Sequence, residues 1–373
     1  MKLIDEAGAL EDAADALAVY DRIYVDTEFE SNRRGTTLCL IQLTGDEGEV
    51  YLVDPVALPD LGPLKRVLGR KRVLWVMHAG RQDVELLMAA LGLRYRPRVF
   101  DTQIAWALTS PEHQVSLAYL QAGLLGLVPE KGLQTDDWTR RPLSDAHLAY
   151  AADDVRHLPA IYTVLAERLE AKGHHELCVT ISGEAHDPPA EPAAPLGLAA
   201  YRNLWQLTGR QRAALAWMIE WYNALDEAAQ ELAPPRKVLF SIAARLPETK
   251  TALRSIKGVP RRFADTEGGE FVEKVLAAIA EVEDTPADGV PPPYATFDEL
   301  YRDALLRCAQ ADVCAAMQFA PELAFPAWLG RQLRDELTHG DDWAKAARIF
   351  TGWREVLRDP WVAFCRSVGL GGR

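Results

Sequence analysis

The chain has 373 residues, of which 49% are hydrophobic, and its formal net charge is −13. This length predicts two or three domains. The negative charge argues against a broad basic surface for nucleic acid, although divalent cations on clustered carboxylates would reverse the field locally. No apolar run approaches the roughly 20 residues of a membrane span, and the five scattered cysteines form no CxxC pair. We therefore expect a cytoplasmic protein without a membrane partner.

The first part of the chain has the pattern of an α/β domain. Its opening 20 residues predict an acidic amphipathic helix, and IYVDTEFE (23–30) predicts a β-strand. The segments LCLIQLTG and EVYLVDP predict two further strands, so three adjacent antiparallel strands are expected. Strands and helices then alternate as far as a long helix predicted from Leu143 to Lys172. A strand meander followed by alternation predicts a mixed sheet.

The rest of the chain is helical in pattern and is divided by two stretches with linker composition. Residues 184–197 and 283–293 are rich in Pro and poor in large apolar side chains. They separate an α/β domain at 1–183 from two all-α segments at 198–282 and 294–373. The sequence therefore predicts an α/β domain followed by two helical domains.

Two acidic residues on the IYVDTEFE strand suggest a metal site. Period-2 alternation places Asp26 and Glu28 on one face, with Cα atoms roughly 6.5–7 Å apart. Paired carboxylates repel each other and resist burial, and a bound cation removes both problems. The alternative is an edge strand with a solvated acidic face, and the strand alone does not decide between them.

Further carboxylates follow at a strand exit and on a helix. Asp83 lies in the predicted first turn of a helix after a buried strand, where it could hold a ligand or complement the helix dipole. Tyr150 and Asp154 are four residues apart and share a helix face. Asp153 competes with Asp154 at spacing three, and periodicity does not separate the two.

Three motifs in series resemble those of a known superfamily. VDTEF, HAGRQDVELL and YAADDVRHL resemble the exonuclease motifs of the DEDD superfamily of 3′–5′ exonucleases, in its tyrosine-bearing subgroup. LCLIQL, FDTQ and DWTRRPL extend the resemblance to the bacterial ribonuclease D family. The resemblance implies a ribonuclease H-like exonuclease domain and two helical domains of the helicase-and-ribonuclease-D C-terminal (HRDC) type.

The resemblance also assigns site residues by their positions in the motifs. It implies that Asp26, Glu28, Asp83, Tyr150 and Asp154 form the catalytic set, which selects Asp154 over Asp153. The four acids are expected to bind two divalent metal ions, Mg²⁺ or alternatively Mn²⁺. We expect Asp26 to contact both ions, Glu28 and Asp154 to complete one site, and Asp83 to complete the other. Tyr150 is expected to orient the attacking water.

Two neighbours of these acids are candidates for substrate contact. Thr27 and Phe29 follow Asp26 and Glu28 in the first motif, and Phe29 could pack against the terminal base or sugar. The alternative places Phe29 in the core. One departure from the family pattern is Asp136, which precedes the Asp-Trp pair where relatives tend to have Ser.

The expected activity is 3′–5′ exoribonuclease cleavage by two-metal-ion hydrolysis, which trims RNA such as transfer RNA precursors and releases nucleoside 5′-monophosphates. One alternative is a DNA 3′–5′ exonuclease, which would use the same acids. Another is a non-catalytic nucleic-acid-binding scaffold, although such a protein would be expected to have lost at least one acid. A monomer is expected.

Overall fold

The computed structural model describes residues 1–32, 35–46, 48–127, 136–185, 197–287, 289, 296–340 and 346–368. By their contacts, the residues form two compact units, Met1–Pro188 with Phe297–Arg373, and Pro189–Thr296. The division into three domains stays a prediction, and much of the two predicted linkers lies outside the described residues. No helix in the described ranges is long and apolar enough to cross a membrane.

A six-stranded mixed sheet forms the centre of the first unit. Its strands are β1 (Lys2–Ile4), β2 (Arg22–Asn32), β3 (Gly35–Thr44), β4 (Tyr51–Val53), β5 (Leu74–Met77) and β6 (Arg98–Asp101). Their order is β1-β4-β3-β2-β5-β6. β2, β3 and β4 pair antiparallel, whereas β1 with β4, β2 with β5 and β5 with β6 pair parallel. The predicted mixed sheet and antiparallel meander are confirmed.

Eight helices of the described residues surround this sheet. They are α1 (Ala7–Leu17), α2 (Gly62–Leu68), α3 (Arg81–Ala90), α4 (Thr102–Ala107), α5 (Leu117–Leu125), α6 (Asp145–Arg156), α7 (Leu158–Glu170) and α8 (His175–Ala185). The two sheet faces bury separate hydrophobic clusters, one mainly with α1–α3 and the other with α4–α8. Along β2, Ile23 and Val25 enter the first cluster and Tyr24 the second, as alternation requires.

Two predicted elements are wrong in detail. The opening segment is not helical throughout, because residues 2–4 pair with β4 before α1 begins. The long helix predicted over 143–172 is two helices, α6 and α7, separated at His157. Pro159 has no N–H to donate to the carbonyl of Val155, so the helical ladder ends there and α7 begins with Pro159 in its first turn.

The second unit consists of short helices around its own core. They are α9 (Gly209–Asn223), α10 (Glu227–Leu232), α11 (Arg236–Arg245), α12 (Lys250–Arg254), α13 (Arg261–Thr266) and α14 (Gly268–Ala278). Thr208 and Gln211 form a capping box at the start of α9, which satisfies two backbone N–H groups there. Leu215, Leu239 and Phe263 are among its buried core side chains.

The C-terminal helices pack directly against the α/β part of the first unit. They are α15 (Phe297–Met317), α16 (Pro321–Ala324), α17 (Ala327–Gly340) and α18 (Arg358–Ser367). The backbone N–H of Ala320 donates to the carbonyl of Ala107 over 2.7 Å, and the Phe319 ring lies 5.2 Å from that of His174. These helices share one hydrophobic cluster with α4–α8. The predicted combination of a mixed α/β sheet and helical C-terminal regions is confirmed.

Candidate active site

Strand β2 and helix α6 bring three carboxylates together on one face of the sheet. Asp26 and Glu28 lie on the face that packs beneath α6, which also carries Asp154. One carboxylate oxygen from each of these three residues lies within 4.8 Å of the others. All three side chains are partly exposed, so a small ion or a substrate phosphate could reach them.

Packing of α6 separates the two adjacent aspartates that periodicity left open. Ala151, Ala152 and Val155 are fully buried against the rest of the unit, which fixes the rotation of the helix. Asp154 then faces the acidic cluster, whereas Asp153 is exposed and pairs with Arg156 at 2.7 Å. One turn earlier on the helix, Tyr150 makes a side-chain hydrogen bond to Asp154.

Asp83 lies beside this cluster and is held by a residue of β2. The hydroxyl of Thr27, which is only 6% exposed, donates to the Asp83 carboxylate. Asp83 lies in the first turn of α3, directly after the loop that leaves β5. Its charge acts on Asp26 and Glu28, although Asp83 lies outside the group of three with mutual oxygen distances below 4.8 Å.

The loop before α3 is fixed by Asp101, a residue that the sequence reasoning missed as part of the site. Its carboxylate accepts from the backbone N–H groups of Ala79 and Gly80 at 3.0 and 3.1 Å, and it also caps α4 through Gln103. Ala79 has φ +52°, a conformation that costs energy for a residue with a Cβ. The carboxylate therefore stabilises a strained turn and with it the position of Asp83. Of these contacts, only the N-cap has a local sequence signal, at FDTQ.

Burial and mutual repulsion raise the pKa values of the acids. The pKa of Asp26 is raised well above its ordinary value by burial and then by the charges of Asp83, Asp154 and Glu28. Burial, followed by Asp154, Asp83 and Glu30, raises the pKa of Glu28 to about 8. Without a cation, the site therefore retains protons near neutral pH.

The other two acids show the same effect with an opposing hydrogen bond. Burial raises the pKa of Asp154 to about 7, against the hydrogen bond from Tyr150. Burial also raises the pKa of Asp83, against the hydrogen bond from Thr27. The donor set fits divalent metal ions, because it supplies only carboxylate oxygens and its surplus negative charge would be neutralised by a hard cation such as Mg²⁺.

A polar segment packs against Tyr150 from the side. The backbone N–H of Trp138 donates to Glu30 at 3.2 Å, and the Trp138 ring lies 6.1 Å from that of Tyr150. His147 contacts the Trp138 ring at 5.1 Å and lies 3.3 Å from the carboxylate of Asp136. Glu30 therefore anchors this segment, which buries one side of the phenol ring.

The two predicted substrate contacts have different surroundings. Thr27 uses its hydroxyl to bind Asp83. Phe29 is partly exposed and belongs to none of the three hydrophobic clusters formed by the described residues. Contact of either residue with a substrate stays a prediction.

A separate cavity of about 440 Å³ lies around the other end of β2. Its lining includes Arg22, Tyr24 and Asp46. The Asp46 carboxylate accepts from the Arg22 guanidinium at 3.0 Å and from the Tyr24 hydroxyl at 2.7 Å. These groups satisfy one another, so the carboxylate cluster is the stronger candidate for a reactive site.

Known proteins resemble this chain over most of its length. A family model described as a 3′-5′ exonuclease matches residues 1–170. Ribonuclease D of Gluconacetobacter diazotrophicus is 34% identical over 318 residues, which cover 81% of this chain and 78% of that protein. Ribonuclease D of Granulibacter bethesdensis is 34% identical over 275 residues, which cover 72% of this chain and 68% of that protein.

Solved structures give the same picture. Escherichia coli RNase D, described as an exoribonuclease involved in structured RNA processing, has a TM-score of 0.67 and 25% identity, with 98% of both chains covered. The catalytic core of RRP6 from Trypanosoma brucei has a TM-score of 0.53 and 23% identity over 75% of this chain and 80% of that one, which shows a shared fold.

Proposed function

Since this chain belongs to the ribonuclease D family of 3′–5′ exoribonucleases, we propose that it trims the 3′ ends of structured RNA such as transfer RNA precursors. The products are nucleoside 5′-monophosphates. The observation that supports this most directly is the convergence of the Asp26, Glu28 and Asp154 carboxylates within 4.8 Å, with Asp83 beside them.

The acids divide into two groups that would hold two divalent ions. Asp26, Glu28 and Asp154 would hold one ion, and Asp83 together with Asp26 would hold the other. When bound, such ions supply an activated water and stabilise charge on the phosphate and leaving oxygens. Asp26 lies close enough to the charges of Asp83, Asp154 and Glu28 for all three to raise its pKa, which supports its assignment to both ions.

Tyr150 would act on the attacking water through a hydrogen bond. Its side chain already bonds to Asp154, so a water beside that carboxylate lies within reach of the phenol. A phenol is a weak base near neutral pH, so Tyr150 orients the water and does not remove its proton. The phenol ring of Tyr150 also packs beside the Trp138 ring, with ring centroids 6.1 Å apart.

Product analysis on a 3′-extended transfer RNA precursor tests the proposal. In Mg²⁺, the wild-type protein should shorten the RNA stepwise and release nucleoside 5′-monophosphates, and chelator should stop the reaction. Asp26→Asn should be inactive with its fold retained, whereas the exposed neighbour Asp153→Asn should behave as wild type. Metal-independent shortening, activity in Asp26→Asn, or faster cleavage of a DNA oligonucleotide of matched sequence would contradict the proposal.

A further inference from the structure

Gln42 is a fully buried amide whose polar atoms lack hydrogen-bond partners among the described residues. It lies in the middle of β3 and is 0% exposed. Neither its side-chain nitrogen nor its side-chain oxygen meets a partner in the described part of the chain. Leu40 and Leu52, both fully buried, flank it on the same face of the sheet.

A buried amide without partners is unfavourable at this position. Burial removes water from the nitrogen and the oxygen, and no group in the described part of the protein replaces it. A leucine or methionine would fill the same core space without this penalty. Each unpartnered buried polar group of this kind calls for an explanation, and a catalytic or ligand-linked role is one of them.

The position of Gln42 in the sheet brings it next to Asp26. The two residues are direct cross-strand partners in the antiparallel pair of β2 and β3. Side chains of such partners point to the same face, with Cβ atoms about 4.5–5.5 Å apart. The amide can therefore reach the Asp26 carboxylate without a change in the backbone.

Two of the other acids in the site already have a side-chain donor. Thr27 donates to Asp83, and Tyr150 bonds to Asp154. Asp26 receives the backbone N–H of Thr27, but no side chain of the described residues donates to it. The amide of Gln42 is the neighbouring group that could supply this bond.

We propose that Gln42 is a positioning residue for the exonuclease reaction. A rotation of its side chain would bring its nitrogen, which has no partner among the described residues, to the Asp26 carboxylate, where it donates and fixes the orientation of Asp26 for divalent-ion binding. The inference rests on the proposed function, because it assigns Asp26 to the metal site. Residues that orient metal ligands in this way typically change metal affinity or activity by about 10–100-fold when they are mutated.

Gln42→Leu tests the proposal through metal binding to the full chain. Titration of Mn²⁺ into metal-free protein, followed by calorimetry, should show affinity about 10–100-fold weaker than in wild type. The melting temperature of the metal-free protein should stay the same or rise, because the unpartnered amide is removed. Leu52→Met is the matched control, since it alters the opposite cross-strand neighbour of Gln42 in the same core layer. It should bind Mn²⁺ as wild type does.

Gln42→Met, with an unbranched side chain, covers the case in which Gln42→Leu fails to fold. Wild-type Mn²⁺ affinity in either folded variant would overturn the inference. So would an equal loss of affinity in Leu52→Met, which would indicate a general packing effect. Absence of Mn²⁺ binding by the wild-type protein would instead contradict the proposed function itself, and the inference with it.

Discussion

Protons and divalent ions compete for the carboxylate cluster, so the metal requirement of the enzyme should depend steeply on pH. The pKa of Glu28 is raised to about 8 and that of Asp154 to about 7, and burial is the largest cause of both shifts. A metal ion binds the ionised forms, so these protons must leave when it binds. Lowering the pH from 8 to 6 should therefore weaken metal binding.

The rough size of the effect follows from these raised pKa values. At pH 6 both Glu28 and Asp154 are mostly protonated, whereas at pH 8 Asp154 is mostly ionised and Glu28 is about half ionised. The raised pKa of Asp26 adds to the competition between protons and metal. The apparent metal affinity should therefore rise by at least about a hundredfold between these two pH values.

Calorimetric titration of Mn²⁺ into metal-free protein at pH 6, 7 and 8 measures this change. Repeating each titration in buffers with different ionisation enthalpies counts the protons released by Asp26, Glu28 and Asp154, which should be about two or more at pH 6 and fewer at pH 8. An affinity that is constant over this range, or binding without proton release, would refute the explanation based on carboxylate repulsion and burial.

Three other predictions concern residues of the first unit. Tyr150→Phe should lower kcat more than RNA affinity, and a defect mainly in affinity would contradict the water-orienting role. Asp54→Asn should reduce the free energy of unfolding by about 3 kcal/mol in urea titrations, because it breaks the two-point contact of the buried Asp54 carboxylate with Arg141. Metal-free protein should lose stability as pH rises from about 4 to about 8, because folded Glu28 and Asp154 retain protons that the unfolded chain releases. A melting temperature of the metal-free protein that rises over this pH range would contradict this prediction.

The sequence predicted the elements of the first unit well where periodicity was regular. Alternation along β2 placed Asp26 on the correct face, because that part of the strand pairs regularly with β3. Alternation also placed Glu30 with Glu28, and the charge of Glu30 does act on Glu28, but Glu30 binds the backbone N–H of Trp138 and lies outside the group of three carboxylates. A contact between residues 108 positions apart has no signal in a period-2 pattern.

Other parts of the site depend on contacts between distant segments. Helical spacing allowed both Asp153 and Asp154 to accompany Tyr150. The resemblance to the family motif selected Asp154, and the packing of α6 against its neighbours gives the physical reason. Asp101 acquires its role from the loop that follows β5, and the proposed role of Gln42 depends on its exact register with Asp26 of β2. Such pairings are set by the tertiary fold, and one sequence gives no local pattern for them.

Comparison of Asp154→Asn with Asp153→Asn in an exonuclease assay tests the proposed metal site most directly. The two residues are adjacent on α6, but only Asp154 belongs to the carboxylate cluster. Asp154→Asn should lower the Mg²⁺-dependent rate by about a thousandfold or more, because metal stabilisation of the transition state is worth several kcal/mol. Asp153→Asn removes an exposed ion pair and should leave the rate within about twofold of wild type. Equal rates for the two variants, or a wild-type rate for Asp154→Asn, would contradict the assignment of the metal site.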